Sequence, residues 1–163
     1  MPEYTRGNYL ISTNPRLLVF DSIYAFISRS YWGVGRTKEA MERALEYSLC
    51  FGVYELNMAG DVSIQESKRI KRQVGLTRVV TDRAIYAYLC DVYILEDCRQ
   101  QGLGKWMLEV VLNYPELQDL RRWVLITSDA HEFYRQHGFA GLESPGKWME
   151  IYNPTPGNGA SEV

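Results

Sequence analysis

Cys98-Arg-Gln-Gln-Gly-Leu-Gly-Lys105 follows an apolar stretch, Tyr86–Leu95, and opens a helix-period stretch containing Trp106, Met107, Val110 and Val111. The first turn of a helix has four N–H groups without intrahelical partners, and the macrodipole adds partial positive charge there. Glycines at 102 and 104 let the backbone approach an anion with no side chain in the way. Strand, glycine loop and helix in that order make a pyrophosphate cradle. Two other phosphate motifs fail on spacing. A P-loop needs glycine five residues before Gly104 and a hydroxyl residue after Lys105, where this chain has Arg99 and Trp106. A dinucleotide fingerprint needs a small residue at Met107.

Outward from the loop, Tyr86–Leu95, Gly104–Tyr114 and Trp123–Thr127 read as strand, helix and strand, a parallel crossover. Upstream, Asn8–Ser12 reads as a strand, and Asn14-Pro15 as a helix start, with Val19, Ile23, Phe26 and Ile27 on one face. Ser30-Tyr-Trp-Gly-Val-Gly-Arg36 is a loop with exposed or half-exposed rings. Thr37 caps a second helix carrying Met41, Ala44, Leu45 and Ser48. Leu49–Tyr54 and Gln73–Val80 are strands joined without helices, hence antiparallel. The polar segment Asn57–Arg72 reads as a solvated hairpin loop. Trp148–Tyr152 reads as a late strand. The expected fold is α/β: a single domain over residues 1–153 with a mixed, open sheet of about six to seven strands and helices on both faces. The tail 154–163, rich in Pro, Gly and Ser, is expected to be disordered.

The 163 residues suffice for one sizeable core, and 46% hydrophobic with 23% charged residues is ordinary globular composition. A net charge of −2 gives no basic footprint for nucleic acid or a membrane surface. No apolar run reaches membrane-spanning length, and Met1–Arg6 lacks the apolar core of a secretory signal. Cys50, Cys90 and Cys98 form neither a disulfide framework nor a zinc pattern. Two histidines flanking one short helix leave few metal ligands, so no metal is expected. These features set an expectation of a cytoplasmic protein with reduced thiols.

Arg99-x-x-Gly102-x-Gly104 resembles the phosphate loop of the GNAT N-acetyltransferase superfamily. Val92-Tyr-Ile94 lies five residues before Arg99, where that family's central strand ends. Ala130-His-Glu-Phe-Tyr134 and Gly138-Phe139 resemble its second signature, and the element order from Asn8 to Tyr152 also fits.

The resemblance implies acetyl-coenzyme A as acyl donor and an amine, on a small molecule or a peptide, as acceptor. Backbone of Val92, Tyr93 and Ile94 would bind the pantetheine arm. Arg99, Gln100, Gln101, Gly102, Leu103, Gly104 and Lys105 would hold the pyrophosphate. Thr127 stands where relatives often carry an asparagine that contacts the cofactor. Tyr134 matches the tyrosine that protonates the departing thiolate; the other reading is a packed aromatic. Asp91, the one carboxylate inside an apolar strand, is either the general base or an anchor for backbone or an arginine. Asp82, Glu96 and Asp97 are weaker candidates, and His131 is expected in solvent. Tyr31 and Trp32 would wall the acceptor groove or serve as core anchors. Other acyl donors or acceptor atoms, a non-catalytic binding module and a homodimer are left open.

Overall fold

The computed structural model of the chain describes residues 2–57 and 69–153. The elements run β1 (Glu3–Arg6), β2 (Tyr9–Ser12), α1 (Phe20–Ile27), α2 (Lys38–Glu46), β3 (Leu49–Leu56), β4 (Ile70–Thr81), β5 (Tyr86–Ile94), α3 (Leu103–Leu112), β6 (Arg122–Val124) and α4 (His131–Arg135). The six strands form one sheet in chain order. Every neighbouring pair is antiparallel except β5 and β6, which are parallel. A parallel pair needs a crossover connection, and α3 provides it.

Successive strand residues point to opposite faces, and the apolar pattern uses both. Phe51, Val79, Ala87 and Leu89 pack with Leu103, Met107 and Val111 of α3. Cys50, Leu76 and Tyr93 pack with Ile23, Phe26 and Ile27 of α1 and Met41 of α2. The expected mixed sheet with helices on both faces is the observed architecture.

One irregularity aims the site. Leu89 and Tyr93, four residues apart, would share a face of a regular strand, yet they belong to clusters on opposite faces. Leu76 pairs with Tyr93 and Arg78 with Cys90, so Thr77 faces both Asp91 and Val92. That extra residue is a β-bulge, and it flips the strand. Asp91 takes φ 49° there, a left-handed value that aspartate tolerates better than the branched residues around it.

Several sequence expectations need correction. The strand expected at Asn8–Ser12 is the second limb of a hairpin; β1 precedes it, turned by Gly7 at φ 60°. Asn14 does accept from the Arg16 N–H (3.1 Å), but it opens only a single 3-10 turn over Pro15–Leu17. The helix starts at Phe20, after an extended Leu18 and a Val19 whose N–H donates to Gln73 Oε1 (2.8 Å). Thr37 caps α2 as expected, accepting from the Ala40 N–H at 3.1 Å. Ile70–Arg72, read as the end of a loop, extends β4, and Lys71 and Arg72 both bind Glu55. The remainder of that polar segment, residues 58–68, lies outside the described residues, as does the tail 154–163. β6 stops at Val124, so Leu125–Thr127 is not strand. Trp148–Tyr152 is not a strand either: it joins no ladder among the described residues, and its Met149 and Ile151 side chains are fully exposed. Strand propensity alone does not make a strand: β6, the last strand of the sheet, pairs only with β5 among the described residues, and its outer edge is not taken up by this segment.

Candidate active site

The glycine loop turns through two left-handed residues, Gln100 (φ 62°) and Gly102 (φ 74°). Gly102 sits at the N-cap of α3, which has neither a side-chain cap nor an acidic residue in its first turn. Its leading N–H groups are left for an incoming anion. Arg99 Nε donates to the Ile94 carbonyl (3.0 Å), tying the loop to the end of β5. The β1–β2 hairpin closes over the loop: Tyr9 Oη donates to Gln101 Oε1 (3.0 Å), and a side chain on Gly102 would meet the Arg6 guanidinium at 3.7 Å. Neither Arg6 nor Tyr9 carries a local motif, so their part in the loop is visible only in three dimensions.

Parallel pairing of β5 with β6 ends at Tyr88 and Val124. From Leu89 to Ile94 that edge of β5 has no strand partner among the described residues, and the gap opens a cavity of about 510 Å³. Tyr88 to Val92 form one wall and Ile126 to Ala130 another; Tyr31, Trp32 and Arg36 of the α1–α2 connection close a third. Tyr31 and Trp32 meet edge-on (4.9 Å, 85°) and stay 54% and 37% exposed, so they are cavity walls rather than core anchors. Tyr31 Oη donates to Asp129 Oδ1 (3.1 Å) and accepts from the Ser128 N–H (3.3 Å), which joins two walls. Thr127 also lines the cavity, but its Oγ1 accepts from the Ala130 N–H (3.0 Å).

Tyr134 is buried on α4 and lines the cavity, and its hydroxyl has no hydrogen-bond partner among the described residues. Gly138, at φ 88°, ends the helix and lets the Phe139 N–H return to the Tyr134 carbonyl (3.2 Å). That return lays the Phe139 ring edge-on against Tyr134 (5.8 Å), with Phe133 on another side (5.2 Å). Burial, then the neighbouring Tyr31, Asp129 and Cys90, push the Tyr134 pKa up to about 12. It is a protonated donor at any physiological pH.

Asp91 is buried, and both its oxygens are taken. Arg36 Nη1 donates to Oδ1 (2.6 Å) and Arg78 Nε to Oδ2 (2.7 Å). Its geometry is that of the arginine anchor. The other candidate carboxylates sit outside the cavity walls. Asp82 Oδ1 accepts from the N–H groups of Ala84, Ile85 and Tyr86 in the β4–β5 turn, which lowers its pKa to about 2. Glu96 pairs with Arg29 and Arg99, and Asp97 with Arg72. His131 is exposed. Besides Asp91, the carboxylate residue that lines the cavity is Asp129, which sequence reasoning passed over. Its signal was available: it stands next to Ala130, at the head of the second signature.

A family model for the acetyltransferase (GNAT) domain matches residues 50–140, from β3 to just past Phe139. The chain belongs to the GNAT acetyltransferase family. A protein from Gibberella zeae that bears an acetyltransferase name is 38% identical over 138 residues, covering 78% of this chain and 76% of that protein. The crystal structure of a GNAT-family protein from Xanthomonas campestris pv. campestris superposes with a TM-score of 0.79 at 33% identity, covering 93% of this chain and 98% of that one. A structure from Clostridium acetobutylicum determined with acetyl-coenzyme A shares the fold alone, at 13% identity and a TM-score of 0.57, over 89% of this chain and 95% of that one. Among the described residues of this GNAT chain no helix is long and apolar enough to cross a membrane. No group of three His, Cys, Asp or Glu among them could hold a metal.

Proposed function

We propose that the protein transfers an acetyl group from acetyl-coenzyme A directly to a primary amine, within a cytoplasmic catalytic domain spanning residues 1–153. The observation that carries this reading is the unpaired edge of β5, which leads from the cavity to the glycine loop with the Tyr134 hydroxyl beside it. Acetyl-coenzyme A supplies an activated thioester; the chain's own groups then divide the work. The loop from Arg99 to Lys105 and the Arg6 guanidinium hold the phosphates. Over Val92–Ile94, the backbone groups that point away from β4, apart from the Ile94 carbonyl that Arg99 already holds, bind the pantetheine arm as an added strand does. An N–H on that edge that faces developing oxyanion charge contributes about 3 kcal/mol. As the amine nitrogen bonds to the acyl carbon and the carbon–sulfur bond breaks, Tyr134 Oη gives its proton to the sulfur. The surplus amine proton passes through Asp129 or water and restores the Tyr134 hydroxyl, so no net proton is lost.

Cysteine chemistry fits a direct transfer. Cys90 lines the cavity, yet burial pushes its pKa up to about 11, so it stays a thiol and a poor nucleophile. Acetyl-coenzyme A incubated without amine should leave the protein's mass unchanged. Cys90→Ala should keep turnover within about threefold of wild type. A stable acetyl adduct on Cys90 would replace direct transfer with a two-step route.

The deciding experiment couples calorimetric titration of acetyl-coenzyme A with a thiol-release assay over amine and peptide acceptors. Gly104 is the cleanest probe of the cradle. An added Cβ there meets only the Phe133 ring, at an ordinary 3.8 Å, so Gly104→Val should fold and yet lose the cofactor. Arg6→Gln should weaken acetyl-coenzyme A binding about tenfold, the loss of one charge-assisted contact. Unchanged affinity in both variants would remove the loop from the binding site.

A further inference from the structure

Two guanidiniums share one carboxylate at the inner end of the cavity. The Asp91 side chain is 0% exposed, that of Arg78 10% and that of Arg36 27%. Their remaining partners are neutral: Arg36 Nη2 donates to the Trp32 carbonyl (3.4 Å) and Arg78 Nη1 to Ser48 Oγ (3.0 Å). The cluster therefore carries one positive charge in excess, in a place where burial makes an uncompensated charge costly. Arg36 is the more exposed of the two arginines, and it lines the cavity beside Tyr31 and Trp32.

The Arg36 backbone is fixed before any ligand arrives. Its N–H donates to the Gly33 carbonyl (3.2 Å), and Gly33 lies so tightly on the Ile27 carbonyl that no side chain fits there. A planar guanidinium held in place suits carboxylate or phosphate oxygens better than any other common group. Arg99, which also lines the cavity, has 53% of its side chain exposed and pairs with a similarly exposed Glu96 (3.7 Å), so solvent already balances its charge. On another wall, Asp129 supplies the one exposed carboxylate, suited to an ammonium.

We infer that the acceptor is an amine that also bears an anionic group, a carboxylate or a phosphate ester, which Arg36 receives while the amine lies toward Asp129 and Tyr134. This deepens the acetyltransferase reading and rests on it.

The test uses matched acceptors with acetyl-coenzyme A and wild-type protein: phenylalanine against phenylalaninamide, and phosphoethanolamine against ethanolamine. Rates are compared across pH 7 to 9.5, because the amine pKa differs within each pair. The anionic member of at least one pair should have a kcat/KM roughly tenfold higher, with most of the difference in KM. The pair that shows it distinguishes carboxylate from phosphate. Arg36→Gln should bring that ratio close to one while acetyl-coenzyme A affinity is kept. Arg36→Lys, which retains the charge without the fork, should keep part of the preference. Equal or better use of the neutral member in both pairs overturns the inference with no variant needed. If acetyl-coenzyme A binds but none of the four amines reacts, inorganic phosphate is titrated into the coenzyme A-saturated protein. Heat in wild type that vanishes in Arg36→Gln supports the anion site, and no heat in wild type overturns it. Failure to bind acetyl-coenzyme A at all removes the acetyltransferase reading, and this inference with it.

Discussion

Asp91→Asn is expected to lower the stability of the fold by about 3 kcal/mol, because it leaves two guanidiniums at a buried site without a counter-charge. The figure is at the low end for a broken buried pair, since part of the Arg36 side chain reaches solvent. For a chain of this length the melting temperature should fall by roughly 6–12 °C. Asparagine is the informative replacement because it accepts the left-handed backbone of the bulge almost as readily as aspartate. The loss therefore reports charge and not strain. Thermal and urea unfolding check it. A variant that melts like wild type but loses turnover about 10²–10⁴-fold would return Asp91 to the role of general base. A variant that melts early and, where still folded, keeps its cofactor affinity supports the anchor role.

The glycine loop, the crossover and the signature around Tyr134 were legible because each is local: a few residues at fixed spacing carry a backbone requirement. Gly102 needs its left-handed φ, and Gly138 needs one to bring Phe139 back onto Tyr134. The bulge at Asp91 was half legible. A lone acid in an apolar strand marked the position, but the reversal of faces between Leu89 and Tyr93 depends on the register with β4. The partners of Asp91 were not legible at all. Arg36 lies 55 residues away and Arg78 13 away, and no periodicity links them. The hairpin that brings Arg6 to the glycine loop was missed for the same reason, since Glu3–Arg6 has the composition of any exposed segment. Trp148–Tyr152 failed in the opposite direction. Its residues have strand propensity, but propensity without side-chain packing against a neighbouring strand specifies nothing.

Tyr134→Phe is expected to lower kcat about 10–10³-fold while leaving the melting temperature within about 2 °C of wild type. The two halves of that expectation have separate physical grounds. The ring is buried between Phe133 and Phe139, and phenylalanine keeps all of that contact. The hydroxyl has no partner among the described residues, so its removal breaks no hydrogen bond that supports the fold. What is lost is the proton delivered to the departing sulfur. The thiol of coenzyme A has a pKa of about 8.5 if it resembles a free cysteine, well below the value of about 12 at Tyr134. Full transfer in the ground state is therefore uphill, and the hydroxyl acts as charge develops on sulfur. The rate loss should shrink with acetyl donors built on more acidic thiols, which need less assistance. The raised pKa also sets the sign of the pH dependence. Tyr134 stays protonated up to pH of about 12, so the wild-type rate should show no descending limb from this group between pH 7 and 10. Single-turnover measurements isolate the chemical step from product release. If the phenylalanine variant matches wild type on every donor, the ring is there for packing and the sulfur takes its proton from water.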